Sequence, residues 1–121
     1  MHRFSVRCGA SFMQNDSYTL RYLPLFYDEL DNAISHIAYK LMNPDSALNL
    51  LDEVESAILN RLQNCPESFE PVPSKKDRLH PYYRIYVKRY VIYYVVFEEH
   101  GQKIMEVRRF LHAREDRMQK I

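Results

Sequence analysis

Glycine is nearly absent from this chain: Gly9 and Gly101 are the only two among 121 residues. That excludes a glycine-rich loop whose backbone N–H groups cradle nucleotide phosphates. Cysteine is as sparse, and Cys8 and Cys65 form no CxxC and lack histidines at zinc-ligand spacing. Neither zinc nor redox chemistry is indicated, and such usage suits a reducing cytoplasm. No stretch approaches the roughly 18 apolar residues of a membrane span. The N-terminus carries Arg3 and Arg7 but no apolar signal core, so it does not read as a secretory leader. No serine or cysteine stands in a nucleophile motif. The carboxylate pairs Asp28/Glu29, Asp52/Glu53 and Glu98/Glu99 fall on helix faces or in a turn, where they serve capping and solubility. No cofactor is expected.

Present instead are a packable core and a divided charge. Apolar residues make up 46% of the chain and aromatics 13%, which argues against disorder. The length suits one domain that buries its own core without metal or disulfide support. Residues 1–15 show no periodicity and read as a flexible leader, or as sequence upstream of a start at Met13; residues 16–121 read as a single domain. Residues 1–74 hold five Lys/Arg against ten Asp/Glu (net −5), and residues 75–121 hold twelve against six (net +6). Such asymmetry indicates a polyanion-facing surface backed by an acidic scaffold.

Residues 17–23 alternate Tyr18, Leu20 and Tyr22 against Thr19, Arg21 and Leu23, a strand pattern that Pro24 ends. Phe26, Leu30, Ala33, Ile34, Ile37 and Leu41 then fall on one helical face. Asn43-Pro44 closes that helix and opens the next, with Asn as N-cap and Pro at the first helical position. The second helix carries Ala47, Leu50, Leu51, Val54, Ile58 and Leu62 in register, and the short connection makes an antiparallel hairpin. Residues 65–81 hold four prolines and form a connector, with Lys75, Lys76 and Arg78 on it. Three strands come next, over 82–88, 91–97 and 103–111, joined by turns too short for crossovers. The order is β-α-α-β-β-β: an α+β fold, an antiparallel sheet with a helical hairpin on one face.

The cationic strands carry the candidate site. Alternation puts Tyr82, Arg84, Tyr86 and Lys88 on one face of their strand, and Ile104, Glu106, Arg108 and Phe110 on one face of the last. Flexible cations suit phosphates and flat aromatics suit bases. Tyr86, Lys88, Arg89, Arg108, Arg109, Lys75 and Lys76 are therefore candidate nucleic-acid or target contacts. His112 is the nearby residue able to move a proton at neutral pH, beside Arg114 and with Arg84 as a further cation. These three are the candidate catalytic set.

Five segments together resemble the RelE/ParE toxins of bacterial type II toxin–antitoxin systems: Tyr18-Thr-Leu-Arg-Tyr-Leu-Pro24, Ala47-x-x-Leu-Leu-Asp-x-Val-Glu55, Pro81-Tyr-Tyr-Arg-Ile85, Tyr90-Val-Ile-Tyr-Tyr-Val95 and Val107-Arg-Arg-Phe-Leu-His-Ala-Arg-Glu-Asp116. The resemblance spans about residues 17–117. It implies a small cytoplasmic toxin neutralised by a cognate antitoxin, acting on ribosome-bound mRNA or on DNA gyrase, or an inactive relative kept as a binding module. RelE-like members cleave mRNA with scattered basic residues and a tyrosine; ParE-like members lack that set and block gyrase. Arg84 and Arg114 fall where RelE-like toxins place cations. Val91 replaces an expected arginine, and no tyrosine occurs after Tyr94. In a ribonuclease, Arg84 and Lys88 would hold phosphates, Arg114 would stabilise charge on the pentavalent phosphate, and His112 would shuttle the proton.

Overall fold

The computed structural model describes residues 18–73 and 80–115. The leader, the alternative start at Met13 and the loop cations Lys75 and Lys76 lie outside them. Strand β1 (Tyr18–Tyr22) leads into helix α1 (Pro24–Ser35), then α2 (Pro44–Gln63), and strands β2 (Tyr83–Val87), β3 (Tyr90–Glu99) and β4 (Gln102–His112) complete the fold. This is the expected α+β order with the helical hairpin packed on the sheet. The sheet order is β1-β4-β3-β2. β2, β3 and β4 pair antiparallel, whereas β1 joins parallel to β4 in the register Tyr18↔Lys103 to Tyr22↔Val107. The two helices between β1 and β4 make the long crossover that a parallel neighbour requires.

Local chemistry accounts for the hairpin. Pro24 opens α1 where no N–H is needed, and Leu23 O accepts from Phe26 N–H at 3.0 Å. Asn43 caps α2, its Oδ1 accepting from Ser46 N–H at 3.2 Å, with Pro44 at the first helical position. Between them, His36–Lys40 form a π-helical turn closed by Leu41 N–H to His36 O at 3.1 Å. That turn widens the helix and rotates the residues beyond it out of phase. Leu41, expected on the apolar face, is therefore 60% exposed, next to Tyr39 and Met42. Leu51, also expected inside, lies outward, while Ala47, Leu50, Val54, Ile58 and Leu62 form the buried stripe of α2.

The main core lies between hairpin and sheet, where Phe26, Leu50, Val54 and Ile58 meet Ile85, Ile92, Tyr94, Met105, Val107 and Phe110. A smaller cluster on the outer sheet face joins Val72, Val91, Tyr93 and Leu111. One irregularity decides which β4 residues face which way. Tyr93 pairs with Arg109 but Tyr94 with Val107, so Arg108 is an extra residue, a β-bulge. The bulge shifts the alternation by one. Phe110, expected to share a face with Ile104 and Glu106, instead packs with Met105 and Val107 against the helices.

Candidate functional site: a cleft between α1 and the end of β4

β4 ends at His112 and turns into a short 3-10 segment, Ala113–Glu115, tied back by Ala113 N–H to Arg89 O at 2.7 Å. Alongside this end runs the C-terminal half of α1. The gap between them is a cleft of about 530 Å³ lined by Glu29, Asn32 and His36 from the helix and by Tyr90, Arg109, Phe110, His112 and Arg114 from the sheet side. At its inner end Glu29 grips Arg109: Nε lies 3.1 Å from both carboxylate oxygens, and the guanidinium also donates through Nη2 to Oε2. Glu29 Oε1 accepts a further bond from Phe110 N–H at 2.8 Å. Tyr90 stacks on Phe110, centroids 4.8 Å apart, and meets His112 edge-on at 5.2 Å. That contact fixes the imidazole plane. His112 Nδ1 accepts from Arg114 N–H at 3.1 Å. An acceptor nitrogen carries no hydrogen, so the neutral ring bears its proton on Nε2.

The outer sheet face holds a second polar assembly. Glu106 is buried there between two arginines. Arg21 reaches its Oε2 at 2.9 Å, and Arg108 Nε reaches Oε1 at 2.8 Å. Arg21 also bonds Glu99 at 3.1 Å and lies over the Phe97 ring. Its pKa is raised by the bond to Glu106 and then that to Glu99. Burial works against the Arg108 cation, but Tyr82 Oη and Glu106 outweigh it and raise the pKa.

A third knot fixes the hairpin to the sheet. Arg61 Nη1 donates to Tyr94 Oη at 2.9 Å and to Arg84 O at 3.0 Å, and its guanidinium covers the Phe69 ring at 3.7 Å. Tyr94 in turn donates to Pro66 O at 2.7 Å. Burial pushes the Tyr94 hydroxyl up to about 12, with Arg61 pulling the other way.

Of the sequence-derived set, His112, Arg114 and Arg109 share the cleft. Arg84 does not. It pairs with Tyr93, and Tyr86 with Val91, both on the outer face, while His112 pairs with Tyr90 on the helix side. The Arg84 guanidinium lies 5.9 Å from the exposed Tyr86 ring. Lys88, expected beside them, stands in the β2–β3 turn at φ 52° and pairs with Glu53 of α2 at 3.3 Å. Arg89 is exposed in the same turn. Arg108 belongs to the Glu106 assembly. Glu29 and His36 were missed as site residues. Both sit one position from apolar residues of the α1 face, Leu30 and Ile37, which was the available signal that they turn toward the sheet.

Among the described residues no group of three or more His, Cys, Asp or Glu could hold a metal ion, and no helix is long and apolar enough to cross a membrane. A family model described as the ParE toxin of type II toxin-antitoxin system, parDE, matches residues 20–117. Among solved structures, a chain of the chromosomal ParDE TA system from P. aeruginosa is similar at TM-score 0.56 and 15% identity, covering 78% of this chain and 95% of that one. At that identity the likeness concerns the fold. Among curated proteins no sequence match is found.

Proposed function

The chain belongs to the ParE toxin family of type II toxin–antitoxin systems, and we propose that it arrests growth by capturing a protein target, DNA gyrase, rather than by cutting mRNA. It is a toxin whose partner is an antitoxin. The observation that carries the choice of mechanism is the state of His112. Its Nδ1 lone pair is engaged by Arg114 N–H, and its Nε2 bears the hydrogen. A general base needs a free lone pair toward the substrate, and a general acid at neutral pH needs the imidazolium. The ring as held offers neither without giving up its backbone bond. Arg84 also lies across the sheet from it.

The same geometry serves binding well. Arg114 gives the strand end a cationic charge, with the His112 ring beside it, a surface for a protein target in the cytoplasm. The antitoxin, on this reading, covers exposed apolar area at the hairpin. Tyr39, Leu41, Met42 and Leu48 are 60% or more exposed there. A segment that folds on contact buries such area at the expense of its own ordering entropy.

The test is induction of the chain without antitoxin, with separate labelling of translation and DNA replication within minutes. Replication should stop first while mRNA stays intact, and His112→Ala should weaken the arrest by no more than the loss of one contact, without changing its kind. Early translation loss with cleaved mRNA, abolished by His112→Ala, would restore the ribonuclease reading.

A further inference from the structure

The α1/β4 cleft presents hydrogen-bond donors to its opening. Glu29 is the carboxylate in its lining, and both of its oxygens are used internally, Oε1 on Phe110 N–H and Arg109, Oε2 on Arg109. His112 Nδ1 is likewise occupied at 3.1 Å, which leaves Nε2–H as the donor on the far side of the ring. Arg114, exposed in the 3-10 turn, adds a guanidinium, and none of the described residues forms an ion pair with it. Asn32 and His36 line the facing wall from α1. Tyr90 and Phe110, stacked at 4.8 Å, supply an aromatic surface within the cleft. A volume of about 530 Å³ lies within the range of sites that enclose small ligands.

We propose that this cleft binds a phosphate group of DNA, held by Arg114 and His112 Nε2–H, with Asn32 and His36 donating from the opposite wall. An anion suits the cleft because its carboxylate, Glu29, is fully engaged by Arg109 and Phe110 N–H, whereas Arg114 brings a charge that no described residue neutralises. Phosphate is favoured over carboxylate because the donors come from two separate walls. Divergent tetrahedral oxygens reach both walls, whereas a planar carboxylate suits a single fork. The stacked rings offer an apolar surface to the adjoining sugar or base. The phosphate is bound, not attacked, since His112 has no lone pair to offer it. The inference deepens the target-capture reading in one respect: a protein that acts on a DNA-bound enzyme meets DNA phosphates at its target.

The experiment tracks the imidazole C2–H signals of the isotope-labelled full chain during titration with inorganic phosphate. The signals of His36 and His112 should both shift and saturate. Arg114→Ala should weaken binding about tenfold, the loss of one charge-assisted contact, while Lys103→Ala, at the other end of β4, should leave it within about twofold. Asn32→Ala gives a second reading from the helix wall, with a weakening of a few fold expected. A DNA oligonucleotide in 5′-phosphorylated and 5′-hydroxyl forms then distinguishes the source. Tighter binding of the first identifies a terminal phosphate, and equal binding identifies the backbone. Non-saturating shifts, indifference to Arg114→Ala, equal competition by acetate, or preference for the matching RNA strand would each overturn the proposal. Growth arrest on induction is scored separately, so a toxin that fails to bind phosphate refutes this inference and leaves the target-capture reading standing.

Discussion

Removing the Glu29 carboxylate should destabilise the fold more than any other single truncation on α1's polar side. Glu29 joins two partners at once: the Arg109 guanidinium through both oxygens, and the Phe110 amide at 2.8 Å. Truncating one member of a buried ion pair costs about 3–5 kcal/mol, because the remaining charge keeps its desolvation penalty. Here the side chains of Arg109 and Glu29 retain 20% and 17% of their exposure, so water recovers part of that loss. The orphaned Phe110 N–H adds about 1 kcal/mol. We therefore expect Glu29→Ala to cost about 3 kcal/mol and Glu29→Gln about 1, since the amide oxygen can still accept from Phe110 or Arg109. For a domain of this size the alanine variant should melt roughly 12 °C lower, at about 4 °C per kcal/mol. Urea unfolding monitored by far-ultraviolet circular dichroism measures the difference. The double variant Glu29→Met/Arg109→Met, with no charge left behind, should be more stable than Glu29→Ala alone. An alanine variant within about 0.5 kcal/mol of the parent would refute the reasoning, as would a double variant less stable than the single one.

The other assemblies give two more expected outcomes. Glu106→Ala should cost about 2 kcal/mol, below the full buried-pair figure because Arg21 and Arg108 are 42% and 30% exposed and can rehydrate. Since Arg21 and Glu106 are register partners across β1 and β4, the amides of β1 should lose hydrogen-exchange protection before those of β3; uniform loss would count against a local role. Tyr94 and Tyr22, both pushed up to about 12 by burial, favour the neutral hydroxyl in the fold. Their contribution is whole below the ordinary tyrosine pKa of about 10 and is lost as pH rises through about 12. Tyrosinate absorbance should appear together with unfolding in that window, and Tyr94→Phe should weaken the coupling. Early ionisation of every tyrosine without unfolding would contradict it.

The helical hairpin was legible because its signals are local. Leu50, Val54, Ile58 and Leu62 recur at helical spacing, and Asn43-Pro44 announces a boundary by cap chemistry and a missing N–H. Strand identities were legible for the same reason: β-favouring types alternate, and Tyr83, Ile85 and Val87 are buried as the pattern implies. Three things were not. The parallel docking of β1 on β4 depends on where a long crossover returns, which no short window records. The bulge at Arg108 breaks period-two alternation without a glycine to mark it, and so reverses the expected facing of Phe110. The π turn at His36 does the same to helical phase, exposing Leu41. The candidate site suffered most from these shifts, because membership in a site depends on facing. His112 and Arg114 stayed together through adjacency, whereas Arg84 and Lys88 were separated from them by sheet side and by the turn at φ 52°.

The central claim is that this ParE-family chain stops growth through a captured protein target and not through RNA chemistry. Supercoiling of relaxed plasmid by purified gyrase, assayed with and without the full chain, tests it most directly. Ribosomes programmed with a defined mRNA are incubated in parallel. The account predicts loss of supercoiling in the presence of the chain, reversed by the co-expressed antitoxin, with the mRNA uncut. Unaffected supercoiling together with discrete mRNA cleavage would contradict it.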